Sequence, residues 1–145
     1  MRTSRWTLPQ GAVLLITRRV DRHVFLHRRC SRTLLYPNRW AFFGGGVEAG
    51  ESPRDAVVRE LWEETRMVVA APVFLWTTVH HKPKGGTGQL TICDHTFWWE
   101  YDEQDIYLRE GEGCGWCSFD NALERHNVPP HEAHDLRRFR VLMGW

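Results

Sequence analysis

The sequence predicts a mixed α/β fold, a β-sheet covered by helices, with residues 1–145 forming one domain. Three observations carry this expectation. β-rich and helical segments follow one another in the order β-β-β-α-β-β-β-α. One of the helices has a complete start signal. Of the 145 residues, 42% are hydrophobic, enough to build an ordinary core at this length.

Residues 11–19 and 23–29 are β-rich runs separated by polar residues around Asp21, the pattern of a hairpin. After a polar stretch, Trp40-Ala41-Phe42-Phe43 reads as a short strand stopped by Gly44-Gly45-Gly46. Three glycines in a row suit a tight turn or a close backbone approach to a ligand. Ser52-Pro53-Arg54-Asp55 then starts a helix: Ser52 caps it, Pro53 takes its first position, and Asp55 sits where a capping-box acid belongs. This helix should run from Pro53 to about Thr65, with Val57, Val58, Leu61, Trp62 and Thr65 facing the core. Strands are expected at 73–79 and 90–101, flanking a glycine-rich loop at 82–88, with a further strand at 115–119. Helices at 120–126 and 132–143 close the chain, the second with Leu136, Phe139 and Met143 at helical spacing.

Composition narrows the function classes. Lys plus Arg is 19 and Asp plus Glu is 18, a net charge of +1, without the cationic surplus of a dedicated nucleic-acid binder. The apolar content argues against disorder. The longest purely apolar run, residues 12–16, is far short of a membrane span. Without an export signal, the four cysteines read as reduced thiols in a cytoplasmic protein. Cys114-x-x-Cys117 with Cys93 and His95 is a zinc alternative, although Cys-x-His is not a familiar ligand spacing.

The helix at 53–65 carries the chemistry. At about 100° per residue, Glu60, Glu63 and Glu64 share an arc of about 100°, together with the small Ala56. Like charges at these spacings each cost ~0.2–0.5 kcal/mol, and near a helix C-terminus they also oppose the macrodipole. Arg59 and Arg66 relieve only part of this. A hard divalent cation such as Mg²⁺ or Mn²⁺, which prefers oxygen ligands, compensates the rest.

The segment Gly45-x5-Glu51-x7-Arg59-Glu60-Leu61-x-Glu63-Glu64 resembles the signature box of the Nudix hydrolase family, and in particular of its mutator-type nucleoside triphosphate pyrophosphohydrolases. The resemblance implies an α/β/α sandwich with a mixed β-sheet. It also implies Mg²⁺- or Mn²⁺-dependent hydrolysis of a nucleoside diphosphate linked to another group. Residue by residue, Glu60, Glu63 and Glu64 would hold the metal, joined by a backbone carbonyl near Gly44 or Gly45. Arg59 would pin a glutamate, and Glu51 would tie the loop to the helix. Glu110 would supply a further acid from a later loop, with Glu112 as second choice. Where the family's box has glycine, this chain has Arg66. Glycine there usually ends the helix in a left-handed conformation, so either Arg66 bears that strain or the helix leaves by another path.

Trp40 and Phe42, just before the glycines, together with Gly45 and Gly46, are the candidate substrate contacts; Trp76 and Trp98 or Trp99 are further stacking candidates. Adjacent Trp98 and Trp99 must point to opposite sheet faces. By its size the chain resembles (deoxy)nucleoside triphosphate pyrophosphohydrolases. Nucleotide sugars, ADP-ribose and dinucleoside polyphosphates remain alternative substrates, and a nucleotide-sensing module without catalysis is the rival from another class. The expected partner is a small nucleotide, with no membrane and no stable nucleic-acid complex; a homodimer stays open.

Overall fold

The computed structural model describes residues 8–29, 38–83, 88–109 and 113–145. Cys30, residues 84–87 of the expected glycine-rich loop, Glu110 and Glu112 lie outside the described residues. The elements are β1 (Gln10–Arg18), β2 (His23–Arg28), β3 (Trp40–Ala41), β4 (Phe43–Gly46), α1 (Pro53–Thr65), β5 (Val73–Pro83), β6 (Gln89–Glu100), β7 (Cys114–Cys117), α2 (Phe119–Glu124) and α3 (Pro130–Met143).

The strands join one mixed sheet in the order β3-β2-β1-β6-β5, with β4 also on β1 and β7 also on β2. β1 and β2 form the expected hairpin, but they pair only near its turn, from Ile16↔Phe25 to Arg18↔His23. Beyond that they diverge, and β3 and β4 fill the gap. β3 pairs with β2 at His27↔Ala41, and β4 pairs with β1 from Gly11↔Gly46 to Leu14↔Phe43. The expected strand at 40–43 is therefore two strands, and the glycines continue the second rather than stopping it. Gly44 (φ +150) can do this because it lacks a Cβ, which would run into the Ala12 carbonyl of β1. On the other edge of β1, β6 runs parallel from Gln10↔Cys93 to Thr17↔Glu100.

β1 is covered on both faces, so it reads as a nearly continuous apolar run. Ala12, Leu14 and Ile16 meet Ala56, Val57 and Leu61 of α1, with Phe25, Phe43, Phe97 and Trp99. Leu15, Val24, Leu26, Phe42 and Trp76 meet Phe119 and Ala122 of α2 and Leu136 and Phe139 of α3. This is the three-layer sandwich the sequence implied. Trp98 and Trp99 point to opposite faces, and the Trp98 indole donates to the Thr17 hydroxyl at 2.8 Å. Among the described residues, no helix is long and apolar enough to cross a membrane.

Two assignments on α1 change. Trp62, expected in the core, is 46% exposed, while Ala56, expected beside the carboxylates, is fully buried. The small Ala56 and the glycines of β4 let helix and strand approach closely, which turns the Glu60–Glu64 side toward β4.

Candidate active site

α1 begins as its sequence dictates. The Ser52 hydroxyl accepts from the Asp55 amide at 3.1 Å, and Pro53 opens the first turn. It ends at Arg66, which takes the left-handed position (φ 63, ψ 12) usually given to glycine, and the Arg66 amide donates to the Trp62 carbonyl. Its guanidinium lies 5.0 Å from the centroid of the exposed Trp62 ring. Arg66 thus bears the strain, and the helix keeps its normal exit.

Arg59 organises the acids on this helix. It closes on Glu51 with two hydrogen bonds, Nε to Oε2 at 2.7 Å and Nη2 to Oε1 at 2.9 Å. It also donates to Glu60 at 3.0 Å, to Glu63 at 3.2 Å and to the Gly46 carbonyl at 3.0 Å. Arg59 holds the Glu51 carboxyl below the usual carboxylate range, helped by the Glu48 amide.

The three helix acids are not equivalent. Glu64 is buried, Glu60 is partly buried, and the Glu63 side chain is 52% exposed. Burial raises the Glu60 carboxyl above its ordinary range, Arg59 pulls it down, and the Glu63 charge adds to the rise. Carboxylates crowded in this way repel one another, and a divalent cation between them relieves the repulsion. A Cβ on Gly45 would come within 2.5 Å of Glu60 Oε1, so the bare backbone of β4 forms one wall of the carboxylate site. Oxygen donors only, crowded and short of positive charge, fit a hard cation such as Mg²⁺ or Mn²⁺.

Residues 101–109 run alongside the end of α1. The Tyr107 amide donates to Thr65 O at 2.9 Å and the Arg109 amide to Glu64 O at 2.8 Å. Glu110 follows Arg109 in the chain but lies outside the described residues.

Beside Gly44, Gly45 and Gly46 opens a cleft of about 200 Å³, also bordered by Phe42, Asp94 and Glu132. Of the aromatic candidates, Phe42 reaches it. Trp40 packs instead against His126, with centroids 5.3 Å apart, and Trp76 is buried with its indole donating to Asp135 at 3.0 Å.

Asp94 and Glu132 went unnoticed in the sequence. Glu132 accepts from the Phe42 amide at 2.5 Å, joining the start of α3 to the chain between β3 and β4. Asp94 is buried opposite Gly11 and fills the space that a Cβ there would need. A charged residue inside an apolar strand was the available signal. The zinc alternative loses its geometry: β7, with Cys114 and Cys117, lies three strand spacings from β6, with Cys93 and His95, or about 14 Å across the sheet.

The profile of the NUDIX domain matches residues 6–139 of the chain. The chain belongs to the Nudix hydrolase family. Among curated proteins it is similar to the m7GpppN-mRNA hydrolase NUDT17 of Bos taurus, at 39% identity over 64 residues, which is 44% of this chain and 21% of that protein. It is also 59% identical over 27 residues to the RNA pyrophosphohydrolase of Psychrobacter cryohalolentis, 19% of this chain and 16% of that one. The matches thus span about a fifth of these relatives' lengths. In fold it is similar to the MutT protein of Methanosarcina mazei Go1, with a TM-score of 0.80, 22% identity and 92% and 94% of the two chains covered. A C. elegans Ap4A hydrolase gives a TM-score of 0.72 at 18% identity, covering 94% and 98%.

Proposed function

We propose that this Nudix domain is a Mg²⁺-dependent pyrophosphohydrolase of nucleoside diphosphates linked to a further group, with (deoxy)nucleoside triphosphates as its substrates. The single observation behind this reading is the seating of the Glu60 carboxylate against the bare backbone of Gly45. Helix α1 and strand β4 meet there with no side chain between them.

Glu60, Glu63 and Glu64, joined by the Gly44 carbonyl, would hold Mg²⁺, which would supply neutralisation of the diphosphate and polarisation of the P–O bond under attack. Arg59 and Glu51 hold the Glu60 carboxylate in place. A carboxylate oxygen of Glu60, Glu63 or Glu64 takes the proton of the attacking water, and Glu110 is the further acid. The nucleoside lies in the cleft beside Phe42, Gly45 and Gly46. We read the whole of residues 1–145 as one cytoplasmic domain acting on small nucleotides, since a net charge of +1 suits a small ligand better than a polyanion.

The test is chromatographic detection of the cleavage products, pyrophosphate and a monophosphate or two phosphate esters, from a panel: nucleoside triphosphates, a nucleotide sugar, ADP-ribose, a dinucleoside polyphosphate, and 5′-triphosphorylated and capped RNAs, the last two prompted by the relatives' names. Mg²⁺-dependent turnover of triphosphates, lost in Glu64→Gln, is expected. Tight binding with no turnover anywhere in the panel replaces the hydrolase with a nucleotide sensor.

A further inference from the structure

A second cluster of metal-ligating side chains lies apart from the α1 carboxylates, where β5, β6 and the first turn of α3 meet. His80 of β5, Asp94 of β6 and His131 of α3 each place one ligand atom there, all within 4.8 Å of one another. The His80 imidazole meets Asp94 through Nε2 at 2.5 Å. The His80 and His131 rings stack with centroids 4.1 Å apart and planes 12° apart. Glu132 adds a second buried carboxylate, its Oε2 lying 3.4 Å from His131 Nε2.

We propose that His80, Asp94 and His131 form a binding site for a borderline transition-metal ion, zinc or a close analogue such as cobalt(II). The donor set selects this class: two imidazoles and one carboxylate suit Zn²⁺, whereas Mg²⁺ prefers oxygen alone. Three protein ligands with a fourth position left open is the arrangement of a reactive or exchangeable zinc site. Ligand atoms about 2.0–2.1 Å from one tetrahedral ion stand roughly 3.3 Å apart, so closing this cluster on an ion takes side-chain shifts of about 1–2 Å and a rotation of the two stacked rings, since an imidazole binds a metal in its own plane.

Two further features point to a cation. His80 Nε2 already stands beside the Asp94 carboxylate on a side chain 10% exposed, so two donors reach the cluster together and largely dehydrated. Asp94 and Glu132 also bring two buried carboxylates to this junction, at 4% and 6% exposure, so oxygen donors stand beside the imidazoles. Because both residues also border the cleft beside the β4 glycines, an ion here would brace that wall by tying α3 to the β5–β6 hairpin.

The experiment loads the full-length protein with Zn²⁺, and separately with Co²⁺, in excess Mg²⁺ so that the α1 carboxylates are occupied. Retained metal is counted after desalting, and the visible absorption of Co²⁺ is recorded. One equivalent of retained Zn²⁺ and an intense tetrahedral Co²⁺ band are expected. Affinity should fall on the order of 10–100-fold in His80→Gln and His131→Gln and stay unchanged in Glu60→Gln/Glu64→Gln. His80→Gln keeps an N–H donor for Asp94, so a folded variant is available, and circular dichroism checks each one. No retained metal overturns the proposal. So does metal that survives both histidine changes, or metal that disappears with the α1 glutamates, since either result places it elsewhere.

Discussion

Arg59 grips Glu51 across eight residues of chain with two hydrogen bonds of 2.7 and 2.9 Å, and the same guanidinium reaches Glu60 at 3.0 Å. One cation thereby ties the loop before α1 to the acid that faces β4. This two-point grip needs the planar fork of arginine and cannot be made by an ammonium group. Arg59→Lys and Glu51→Gln should therefore weaken Mg²⁺ binding on the order of 10–100-fold, as loss of a partner that orients a ligand does. Titration calorimetry with Mg²⁺ is the check, and unchanged affinity in both variants would show that Glu60 needs no such support.

The three consecutive glycines should separate cleanly on substitution. A methyl group on Gly45 comes within 2.5 Å of Glu60 Oε1, one on Gly44 meets the backbone of β1, and one on Gly46 meets nothing within 4 Å. Gly46→Ala should melt like the wild type with and without Mg²⁺. Gly45→Ala should fold but lose the rise in melting temperature that Mg²⁺ produces. Gly44→Ala should lower stability with or without metal. Thermal melts with and without Mg²⁺ read all three, and equal behaviour of Gly45→Ala and Gly46→Ala contradicts the close approach of β4 to Glu60.

These glycines also mark where the sequence stopped being legible. α1 could be read to the residue because its signals are local: Ser52 and Pro53 at one end, and acids at a fixed period along it. The split of 40–46 into β3 and β4 depends on β1 and β2 diverging, a non-local event that leaves no periodic trace. Trp62 has the hydrophobicity of a core residue but sits at the edge of the buried arc, where it pairs with Arg66. Asp94, Glu132, His80 and His131 meet only through the packing of α3 on the sheet, and no spacing rule joins residues so far apart in the chain. The acids were legible as a group, but their inequality was not, because the burial of Glu64 and the exposure of Glu63 follow from how α1 lies on β4.

Arg66 should be a stability residue rather than a chemical one. A left-handed residue bearing a Cβ costs about 1–2 kcal/mol, and the contact with Trp62 returns about 0.5–1 kcal/mol. Arg66→Gly should gain up to about 1 kcal/mol in urea denaturation and leave turnover unchanged. Arg66→Val, with a β-branched side chain in the same conformation, should lose stability. If Arg66→Gly alters turnover while leaving stability alone, the residue belongs to the chemistry after all.

The thiols of β7 should be sluggish. Burial pushes Cys117 up to about 11 and raises Cys114 as well, so both are protonated at neutral pH. Iodoacetamide should label them far more slowly in the native protein than in urea. Rapid native labelling of Cys117 would mean that β7 opens away from β2.

His27 gives the fold an acid-sensitive point. It lies on β2, its Nε2 donating to the Phe42 carbonyl at 3.1 Å and its ring 4.7 Å from that of Phe43. Burial lowers it to about 4, opposed by the bond to Phe42, against about 6.5 in an unfolded chain. Between these values the unfolded chain binds a proton that the folded one refuses. The contribution is complete above about pH 6.5 and is lost progressively as the pH falls toward 4, by about 3 kcal/mol in all. The buried Asp135 carboxyl, raised mainly by desolvation, works in the opposite sense, so the comparison with a variant is the informative one. His27→Gln retains a donor for Phe42 but cannot titrate. Urea denaturation at pH 7 and pH 5 should show wild type losing about 2 kcal/mol more than the variant over that interval. Parallel losses in the two proteins would mean that His27 takes up its proton without leaving the fold.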